Sequence, residues 1–334
     1  MTVLVTGAAG FIGFSLAERL LADGKEVVGV DNLTPYYDVS LKQARLARLQ
    51  RHAKFRFHLL DLADRDAAAA FFAGNRFEVI VHLAAQAGVR HSYEQPLAFA
   101  DANLLGFAHL LEGARVQRVR HLVFASSSSV YGANRKVPFS EEDRVDHPIS
   151  FYAATKRANE LAAHTYAHLH GIPCTGLRFF TVYGPWGRPD MALFKFTRLI
   201  LAGEPIPVYN EGRMSRDFTY IDDIVEGMVR VMALPPAAGD SAAEGTTAPY
   251  RIFNIGNSRP VELIEYIRTL EQCLGCSAKL DLLPPVPGDM LMTMADVSRL
   301  ERATGYRPVV SVADGVRRFV EWYCTFYRET ARSQ

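Results

Sequence analysis

The stretch VLVTGAAGFIGFSLAERLLADGKEVVGVD, residues 3–31, decides the fold class of this 334-residue chain. It contains an apolar run, a turn with Gly7, Gly10 and Gly13, an amphipathic helical stretch that ends near Gly24, and a second apolar run. Strand, turn, helix and strand in this order predict a βαβ unit whose two strands lie parallel in one sheet.

The glycine turn predicts a site for a dinucleotide. A tight turn needs the backbone freedom of glycine, and a pyrophosphate approaches a helix N-terminus closely only where side chains are absent. The spacing is G-x-x-G-x-x-G, which is longer than the commonest dinucleotide fingerprint. Asp31 ends the second apolar run, where a carboxylate accepts hydrogen bonds from the adenosine ribose and repels a 2′-phosphate. The motif therefore predicts NAD rather than NADP as the cofactor.

Further apolar runs extend the pattern through the first half of the chain, namely FRFHLL, EVIVHLAA, HLVFASS and CTGLRFF. Continuous apolar strands separated by amphipathic stretches are typical of a parallel sheet with helices on both faces. We therefore expect a doubly wound α/β Rossmann domain over residues 1–180. Asp61 and Leu62 follow the third run, where they would meet the adenine, and Asp61 suits a helix cap equally well.

The second half of the chain has a different pattern. Pro- and Gly-rich turns and shorter elements replace the alternation of strands and helices after residue 180. We predict a smaller C-terminal α/β domain over residues 181–334 that binds the substrate. Within it, DFTYIDDIVEGMVRVM is expected to form a strand and a helix, and a segment around 217–234 is expected to return to the large sheet.

Composition narrows the choice of partners. The formal net charge is +1, so no long-range field favours nucleic acid or a membrane surface, and we expect a small ligand. The four cysteines are scattered, and neither Cys273-x-x-Cys276 nor the pair His164 and His168 has further ligands near it in sequence. The sequence therefore predicts no disulfide framework and no metal. Because Met1 opens no basic, apolar leader pattern, we expect a cytoplasmic protein.

The sequence YAATK places Tyr152 and Lys156 four residues apart, on one face of a predicted helix. A tyrosine with its ordinary pKa near ~10 is a poor base at neutral pH. A neighbouring ammonium group and an oxidised nicotinamide ring would stabilise the phenolate and bring that pKa toward neutrality. Taken alone, the same spacing also occurs on helices where tyrosine and lysine only pack.

The remaining motifs follow in a fixed order, as HLAA, Asn103, SSSSVYG, YAATK, LRFFTVYGP, RDFTYIDD and PGDM. With the glycine turn, this order resembles the extended short-chain dehydrogenase/reductase family, and within it the nucleotide-sugar epimerases and dehydratases. The resemblance spans nearly the whole chain. It implies that Ser127 joins Tyr152 and Lys156 as a catalytic residue. It also implies a homodimer in which helices over residues 97–117 and 152–170 pair into a four-helix bundle.

The row SSSSVYG separates neighbouring reactions within this family. By resemblance, members that eliminate water have Asp-Glu at the positions of Ser128 and Ser129, and decarboxylating members have Glu at the second. Serines leave hydride transfer intact but supply no carboxylate to take the C5 proton or protonate a leaving hydroxyl. The expected reaction is therefore oxidation at C4 followed by reduction from the other face, which is epimerisation. Ser126 fits equally well as a hydroxyl that satisfies local backbone groups.

Two further stretches, TVYGPWGRPDM and AAQAGVRHS around Arg90, resemble the UDP-glucuronate 4-epimerases. Thr181 stands where the neutral-hexose epimerases usually have Asn, and Arg188 follows it. A bidentate arginine would discriminate a sugar carboxylate from a neutral alcohol. We expect Arg188, Thr181 and the serines to hold that carboxylate and to suppress its loss as carbon dioxide. Without the surrounding motif, Arg188 would be interpreted as a solvated loop residue.

The sequence thus predicts an NAD-dependent 4-epimerase that converts UDP-glucuronate to UDP-galacturonate through a transient 4-keto sugar. The alternatives are a 4-epimerase of UDP-glucose or a UDP-N-acetylhexosamine, a UDP-glucuronate decarboxylase, a non-catalytic dinucleotide-sensing protein and an NADP-linked reductase. The predicted substrate-binding residues are Arg90, Ser127, Ser128, Ser129, Thr181, Arg188, Arg216 and Asp289. The predicted cofactor-binding residues are Gly7, Gly10, Phe11, Ile12, Gly13, Asp31, Asn32, Asp61, Leu62, Ala84, Ala85, Gln86, Asn103, Tyr152 and Lys156.

Overall fold

The computed structural model describes residues 1–239, 247–284 and 290–332, with side chains up to residue 328. The strands are β1 (Thr2–Thr6), β2 (Glu26–Asp31), β3 (Phe55–Leu59), β4 (Val79–His82), β5 (His121–Ser127), β6 (Cys174–Phe179), β7 (Thr181–Tyr183), β8 (Pro205–Tyr209), β9 (Ser215–Tyr220), β10 (Tyr250–Ile255), β11 (Pro260–Glu262) and β12 (Lys279–Leu283). The helices are α1 (Phe11–Ala22), α2 (Val39–Leu49), α3 (Arg65–Gly74), α4 (His91–Glu94), α5 (Pro96–Phe99), α6 (Gly106–Gln117), α7 (Phe151–His170), α8 (Ala192–Leu201), α9 (Ile221–Met232), α10 (Leu263–Leu274), α11 (Ser298–Thr304) and α12 (Val312–Arg332).

The large sheet is parallel throughout and has seven strands in the order β3-β2-β1-β4-β5-β6-β10. Its first six strands are the six apolar runs of the sequence, so the prediction of a doubly wound α/β fold is confirmed. The strand order reverses at β1, where Thr6 lies opposite both Val30 of β2 and His82 of β4. In sheets of this type a ligand crevice opens beyond the carboxyl ends of the strands at such a reversal.

The sheet is covered on both faces, as its continuous apolar strands require. Val3 and Val5 pack into the core cluster that contains residues of α1, and Leu4 between them packs into the cluster that contains residues of α6. Alternate side chains of a strand point to opposite faces, so both sides of β1 are buried. This burial fixes the position of the glycine turn that follows β1.

The second half of the chain contributes both to this sheet and to two smaller ones. Strand β9 lies between β7 and β11, and β12 pairs with β8. The expected strand and helix at DFTYIDDIVEGMVRVM are β9 and α9. The predicted returning segment around 217–234 divides, because β9 joins the small sheet while α9 packs against α1 beside the large one. Strand β10 comes from beyond residue 180 and forms the seventh strand of the large sheet.

Within the described ranges, no helix is both long enough and apolar enough to cross a membrane. The stretch over 97–117, predicted as one helix, is α5, a π-helical segment over Ala100–Leu105, and α6. A π-helical turn is wider than an α-helical one and is frequent at functional sites. Here it carries Asn103.

Candidate active site

A cleft of about 270 Å³ opens at the carboxyl ends of the strands where the sheet order reverses. Every predicted cofactor-binding residue except Asn103 lines it. The lining also includes side chains that sequence reasoning did not select, among them Tyr36, Tyr37 and Lys42 from the segment after β2. The glycine turn, the ends of β2 and β4, and the start of α7 therefore face one another across a single cleft.

The glycine turn is shaped so that side chains are excluded from it. Gly7 has a φ of +70°, a conformation that favours glycine. A Cβ atom on Gly13 would lie 2.1 Å from the carbonyl oxygen of Gly7, so a side chain there would push α1 away from the turn. Gly10 is the N-cap of α1 and has no side chain to occupy the helix N-terminus. This bare helix end fits the pyrophosphate of a dinucleotide.

Asp31 lies at the cleft end of β2 and is oriented by the backbone around it. Its two carboxylate oxygens accept hydrogen bonds from Ala9 N at 3.0 Å and Leu33 N at 2.9 Å. A carboxylate has further lone pairs, so ribose hydroxyls can still donate to it. Asp61 also lines the cleft and accepts a 3.1 Å hydrogen bond from Asn32, whereas the cap of helix α3 is Asp64.

Tyr152, Lys156 and Ser127 come together at the other end of the cleft. Tyr152 and Ser127 both line the cleft, and the Lys156 ammonium lies 6.0 Å from the centre of the Tyr152 ring. Lys156 also donates to the carbonyl oxygen of Ala125 at 3.0 Å. Burial raises the pKa of Tyr152, while the Ser127 hydroxyl and the charge of Arg188 lower it, leaving it above its ordinary value. Burial lowers the pKa of Lys156 to about 8.

The helix that carries this pair is fixed to the sheet by a buried ion pair one turn further along. Glu160 accepts hydrogen bonds from Arg178 Nε and Nη2 at 2.8 and 2.9 Å, and both residues are buried. Ser126 Oγ donates to Glu160 at 2.6 Å, so the first serine of the row has a structural partner. Burial alone would raise the pKa of Glu160, but the contacts with Arg178 outweigh it and lower the pKa.

The rest of the serine row continues past the end of β5. Ser128 and Ser129 begin a 3₁₀ turn over Ser128–Tyr131 and are half-buried. The Ser127 hydroxyl accepts a 3.2 Å hydrogen bond from Ser129 N, which shapes this turn. Neither Ser128 nor Ser129 lines the main cleft, so only Ser127 of the predicted serines contributes to both the turn and the Tyr152 contact.

Arg188 reaches the cleft from the loop after β7. It lines the cleft near Tyr152, whose pKa its charge lowers, and it also lines a smaller adjoining pocket with Thr181. Asp190 holds the guanidinium through both carboxylate oxygens, and the Tyr36 hydroxyl donates to Asp190 at 3.2 Å. Burial would lower the pKa of Arg188, but the Asp190 carboxylate outweighs it and raises the pKa.

The loop that carries Arg188 is anchored by a residue that the sequence analysis missed. Arg45 of α2 is fully buried and donates to the carbonyl oxygens of Trp186 and Gly187 at 2.6 and 3.1 Å. It also donates to the carbonyl oxygen of Ala9, in the glycine turn, at 2.8 Å. Arg45 therefore joins the dinucleotide turn to the Arg188 loop. An arginine within the apolar stripe of LKQARLARL was the available signal.

Four predicted site residues have other surroundings. Asn103 is fully buried: its side-chain oxygen accepts from Gln86 N, and its side-chain nitrogen donates to Gln86 O and to the Thr155 hydroxyl. It therefore orients residues that line the cleft without lining the cleft itself. Arg90 lies 4.4 Å over the ring of Tyr209 and so bridges to β8. Arg216, on β9, donates to the neighbouring backbone carbonyl of Ser215 at 3.1 Å. Asp289 lies outside the described residues.

A parallel sheet that reverses at a glycine turn, with Tyr152 and Lys156 four residues apart on a helix beside it, defines a dinucleotide-binding protein of the short-chain dehydrogenase/reductase type. The profile of the NAD dependent epimerase/dehydratase family matches residues 3–256. The chain belongs to this family, and NAD is the cofactor of the family.

Individual relatives are similar over nearly the full length. A Rhizobium meliloti protein described as "Probable UDP-glucuronate 4-epimerase" is 52% identical, with 98% of each chain covered. The crystal structure of UDP-glucuronic acid 4-epimerase from Bacillus cereus in complex with UDP-glucuronic acid and NAD is similar with a TM-score of 0.87 and 32% identity, covering 98% of this chain and 100% of that one. A UDP-glucose 4-epimerase structure from Thermotoga maritima, with UDP-glucose, has a TM-score of 0.85 and 30% identity, with 98% and 100% covered.

Proposed function

We propose that this chain is an NAD-dependent 4-epimerase that interconverts UDP-glucuronate and UDP-galacturonate. The observation that carries the proposal is the charge around Tyr152. Arg188 lines the cleft with this residue and its charge lowers the pKa of Tyr152, while the acidic residues among the described lining, Asp31 at the end of β2 and Asp61 just after β3, lie at the far end. Asp190 pairs with Arg188 but does not line the cleft, so the lining beside the base has a cation and no acid. Such a lining suits an anionic sugar that is to be oxidised and reduced without elimination.

The protein's own groups supply proton transfer and orientation. Tyr152, whose pKa Ser127 lowers, takes the proton of the C4 hydroxyl and later returns it, and Lys156 stabilises the phenolate. NAD bound against the glycine turn supplies a hydride acceptor that becomes the donor in the return step, so none is consumed. Lys156 is buried, and its pKa of about 8 leaves it mainly cationic at neutral pH. With the chain's own groups alone, the pKa of Tyr152 lies above its ordinary value. We therefore predict its phenolate at neutral pH for the NAD-bound enzyme.

Arg188 is proposed to hold the sugar carboxylate. A uronic acid oxidised at C4 is a β-keto acid, which loses carbon dioxide when its C5–carboxylate bond aligns with the carbonyl π system. Fixing the carboxylate away from this alignment suppresses the loss. Arg188 and Thr181 line one pocket beside the cleft, and this proximity supports their acting on the same group. Ser128 and Ser129, at the end of β5, are proposed to join them.

The similarity to proteins named for UDP-glucuronate supports this substrate over a neutral one. The Rhizobium relative at 52% identity is described by that activity, and the Bacillus cereus structure contains UDP-glucuronic acid. The Thermotoga maritima structure with UDP-glucose has the same fold at a similar TM-score, so fold alone does not select the sugar. Selection between the two rests on Arg188 and the serine row.

The test is to incubate the purified chain with UDP-glucuronate, without added reductant, and to resolve the products by proton NMR. UDP-galacturonate is expected. UDP-xylose as the main product would make the chain a decarboxylase, and turnover of UDP-glucose in preference to UDP-glucuronate would make it a neutral-sugar epimerase. Tyr152→Phe is expected to abolish conversion. Tyr166→Phe, on the same helix but outside the cleft, is the matched control and should retain it.

The proposed role of Arg188 in holding the sugar carboxylate has its own test. Arg188→Ala is expected to weaken UDP-glucuronate binding and to release carbon dioxide together with a 4-keto-pentose, while the hydride taken from C4 stays on the cofactor. If the ratio of products stays unchanged in this variant, another group holds the carboxylate. Product ratio separates the two cases because loss of binding alone would slow the reaction without diverting it.

We also propose a cytoplasmic homodimer. Three leucines of the helices predicted to pair, Leu97, Leu161 and Leu169, are 54–78% exposed in the single chain. Apolar side chains exposed on neighbouring helices support a protein partner. Light scattering after size-exclusion chromatography is expected to give a mass near twice that of the 37.1 kDa chain, and Leu161→Glu should lower it.

A further inference from the structure

Arg188 is already paired within its own loop. Its Nε and Nη2 atoms donate to the two carboxylate oxygens of Asp190, at 3.0 and 2.5 Å. Tyr36 donates to one of the same oxygens at 3.2 Å and so holds the acid in place. Arg188 lines the cleft whereas Asp190 does not, so the acid occupies one edge of the guanidinium from outside the cleft.

This arrangement leaves the guanidinium able to bind a second anion, but weakly. An arginine has five N–H donors in a flat fork, and the contact with Asp190 uses the edge formed by Nε and Nη2. The edge that includes Nη1 remains for another carboxylate. Asp190 balances the charge of Arg188, and its own charge repels a second carboxylate nearby. Both side chains are about one quarter exposed, so solvent screens this repulsion only in part.

We propose that Asp190 is a positioning residue that limits how tightly Arg188 holds the sugar carboxylate, so that the 4-keto sugar can turn. This inference rests on the proposed function. Epimerisation requires the sugar to present its other face to the same hydride donor, so its carboxylate must change its contact with Arg188 during each turnover. A guanidinium left without a partner would oppose that step, and Asp190 keeps it paired while the sugar turns. Asp190 thus weakens ground-state binding and favours turnover.

The perturbation is Asp190→Asn, which keeps the shape of the side chain and removes its charge. The dissociation constant of UDP-glucuronate is expected to fall roughly five-fold, as for removal of one like charge from a site that is about one quarter exposed. We expect kcat to fall as well and the dissociation constant of UDP-glucose to stay unchanged. Binding is measured by calorimetry in a Tyr152→Phe background, which prevents turnover, and kcat is measured with Tyr152 present.

Asp23→Asn is the matched control. Arg19 Nε donates to both carboxylate oxygens of Asp23, at 3.3 and 3.1 Å, and the pair lies at the exposed end of α1, where neither residue lines the cleft. This variant makes the same change of charge in another arginine–aspartate pair. It should leave binding and kcat for UDP-glucuronate as they are in the unaltered chain.

Weaker or unchanged binding of UDP-glucuronate by Asp190→Asn would overturn the inference, because loss of a purely structural acid would loosen Arg188. Equal tightening toward UDP-glucose, or an unchanged kcat, would overturn it too. Asp190→Ala is expected to change both constants in the same direction and serves if the Asn variant does not fold. Failure of the proposed function is distinct, since the unaltered chain would then not convert UDP-glucuronate to UDP-galacturonate.

Discussion

Glu160→Gln is expected to lower the free energy of unfolding by about 3–5 kcal/mol, the typical result of removing one partner from a buried ion pair. Glu160 is fully buried, and Arg178 is only 3% exposed. Gln offers one acceptor oxygen where the carboxylate now accepts from Arg178 at two atoms, from Ser126 and from Arg157. The variant therefore leaves the Arg178 cation in the core without a counter-ion.

The assay is thermal and urea unfolding followed by circular dichroism. An unfolding entropy of about 2.1 cal/mol/K per residue gives about 0.7 kcal/mol/K for 334 residues, so the midpoint should fall by about 4–7 °C. Glu112→Gln is the matched control, because Glu112 pairs with Arg115 at 2.8 Å on the surface and such pairs contribute about 0–1 kcal/mol. Tyr152 and Lys156 lie on the same helix as Glu160, so epimerase activity should fall with stability.

The pH dependence adds a second check. The pKa of Glu160 is lowered in the folded protein, so its contribution is complete above the unfolded pKa of about 4.3 and is lost as pH falls through the lower folded value. Equal losses of stability in Glu160→Gln and Glu112→Gln at neutral pH would refute the reasoning, since they would mean that burial of the pair contributes nothing.

Other predictions follow from the cleft. Gly13→Ala should weaken NAD binding at least about ten-fold in an NADH fluorescence titration, because the added Cβ would meet the carbonyl of Gly7. The control is Gly74→Ala, which has open space in α3 and should leave the free energy of unfolding unchanged or raise it by about 0.5–1 kcal/mol in thermal unfolding. Asp31→Ala should lower the preference for NADH over NADPH at least about ten-fold in the same titration, and an unchanged ratio would argue against its ribose contact. Lys156→Met should abolish activity yet raise the free energy of unfolding by about 2 kcal/mol at pH 7, because burial lowers the pKa of Lys156 to about 8 and so penalises its charged form. Urea unfolding should show that this gain shrinks between pH 8 and about 10.4, where the unfolded chain binds more protons than the folded one. A gain that stays constant with pH would contradict the prediction.

The large sheet was predictable because five of its first six strands are buried apolar runs, and the remaining one, β3 at the edge of the sheet, still alternates Phe55 and Phe57 with polar residues. The seventh strand was not. β10 pairs with β6 from a position some seventy residues later in the chain, beyond the predicted domain boundary. Its sequence YRIFNI mixes polar and apolar residues, because it forms the edge of the sheet.

The candidate site was likewise predictable from the sequence only in part. The spacing of Tyr152 and Lys156 placed both on one face of α7, as helix geometry requires. Asn103 has the expected neighbourhood but a different contact, because the π-helical turn directs its amide to Gln86 and Thr155 inside the protein. No periodicity of apolar residues predicts a π-helical turn, so the position of Asn103 outside the cleft lining could not be predicted from the sequence alone.

The sequence by itself determined the glycine turn, the acid at the end of the second strand and the pairing of Tyr152 with Lys156 on one helix, since each depends on residues close together in the chain. Only the tertiary structure decided which charges meet across elements. Arg45 reaches the Arg188 loop, and Asp190 is held by Tyr36, because the segment after β2 packs against the loop after β7. Contacts over such sequence distances depend on strand order and loop packing, and no local pattern of residues encodes either.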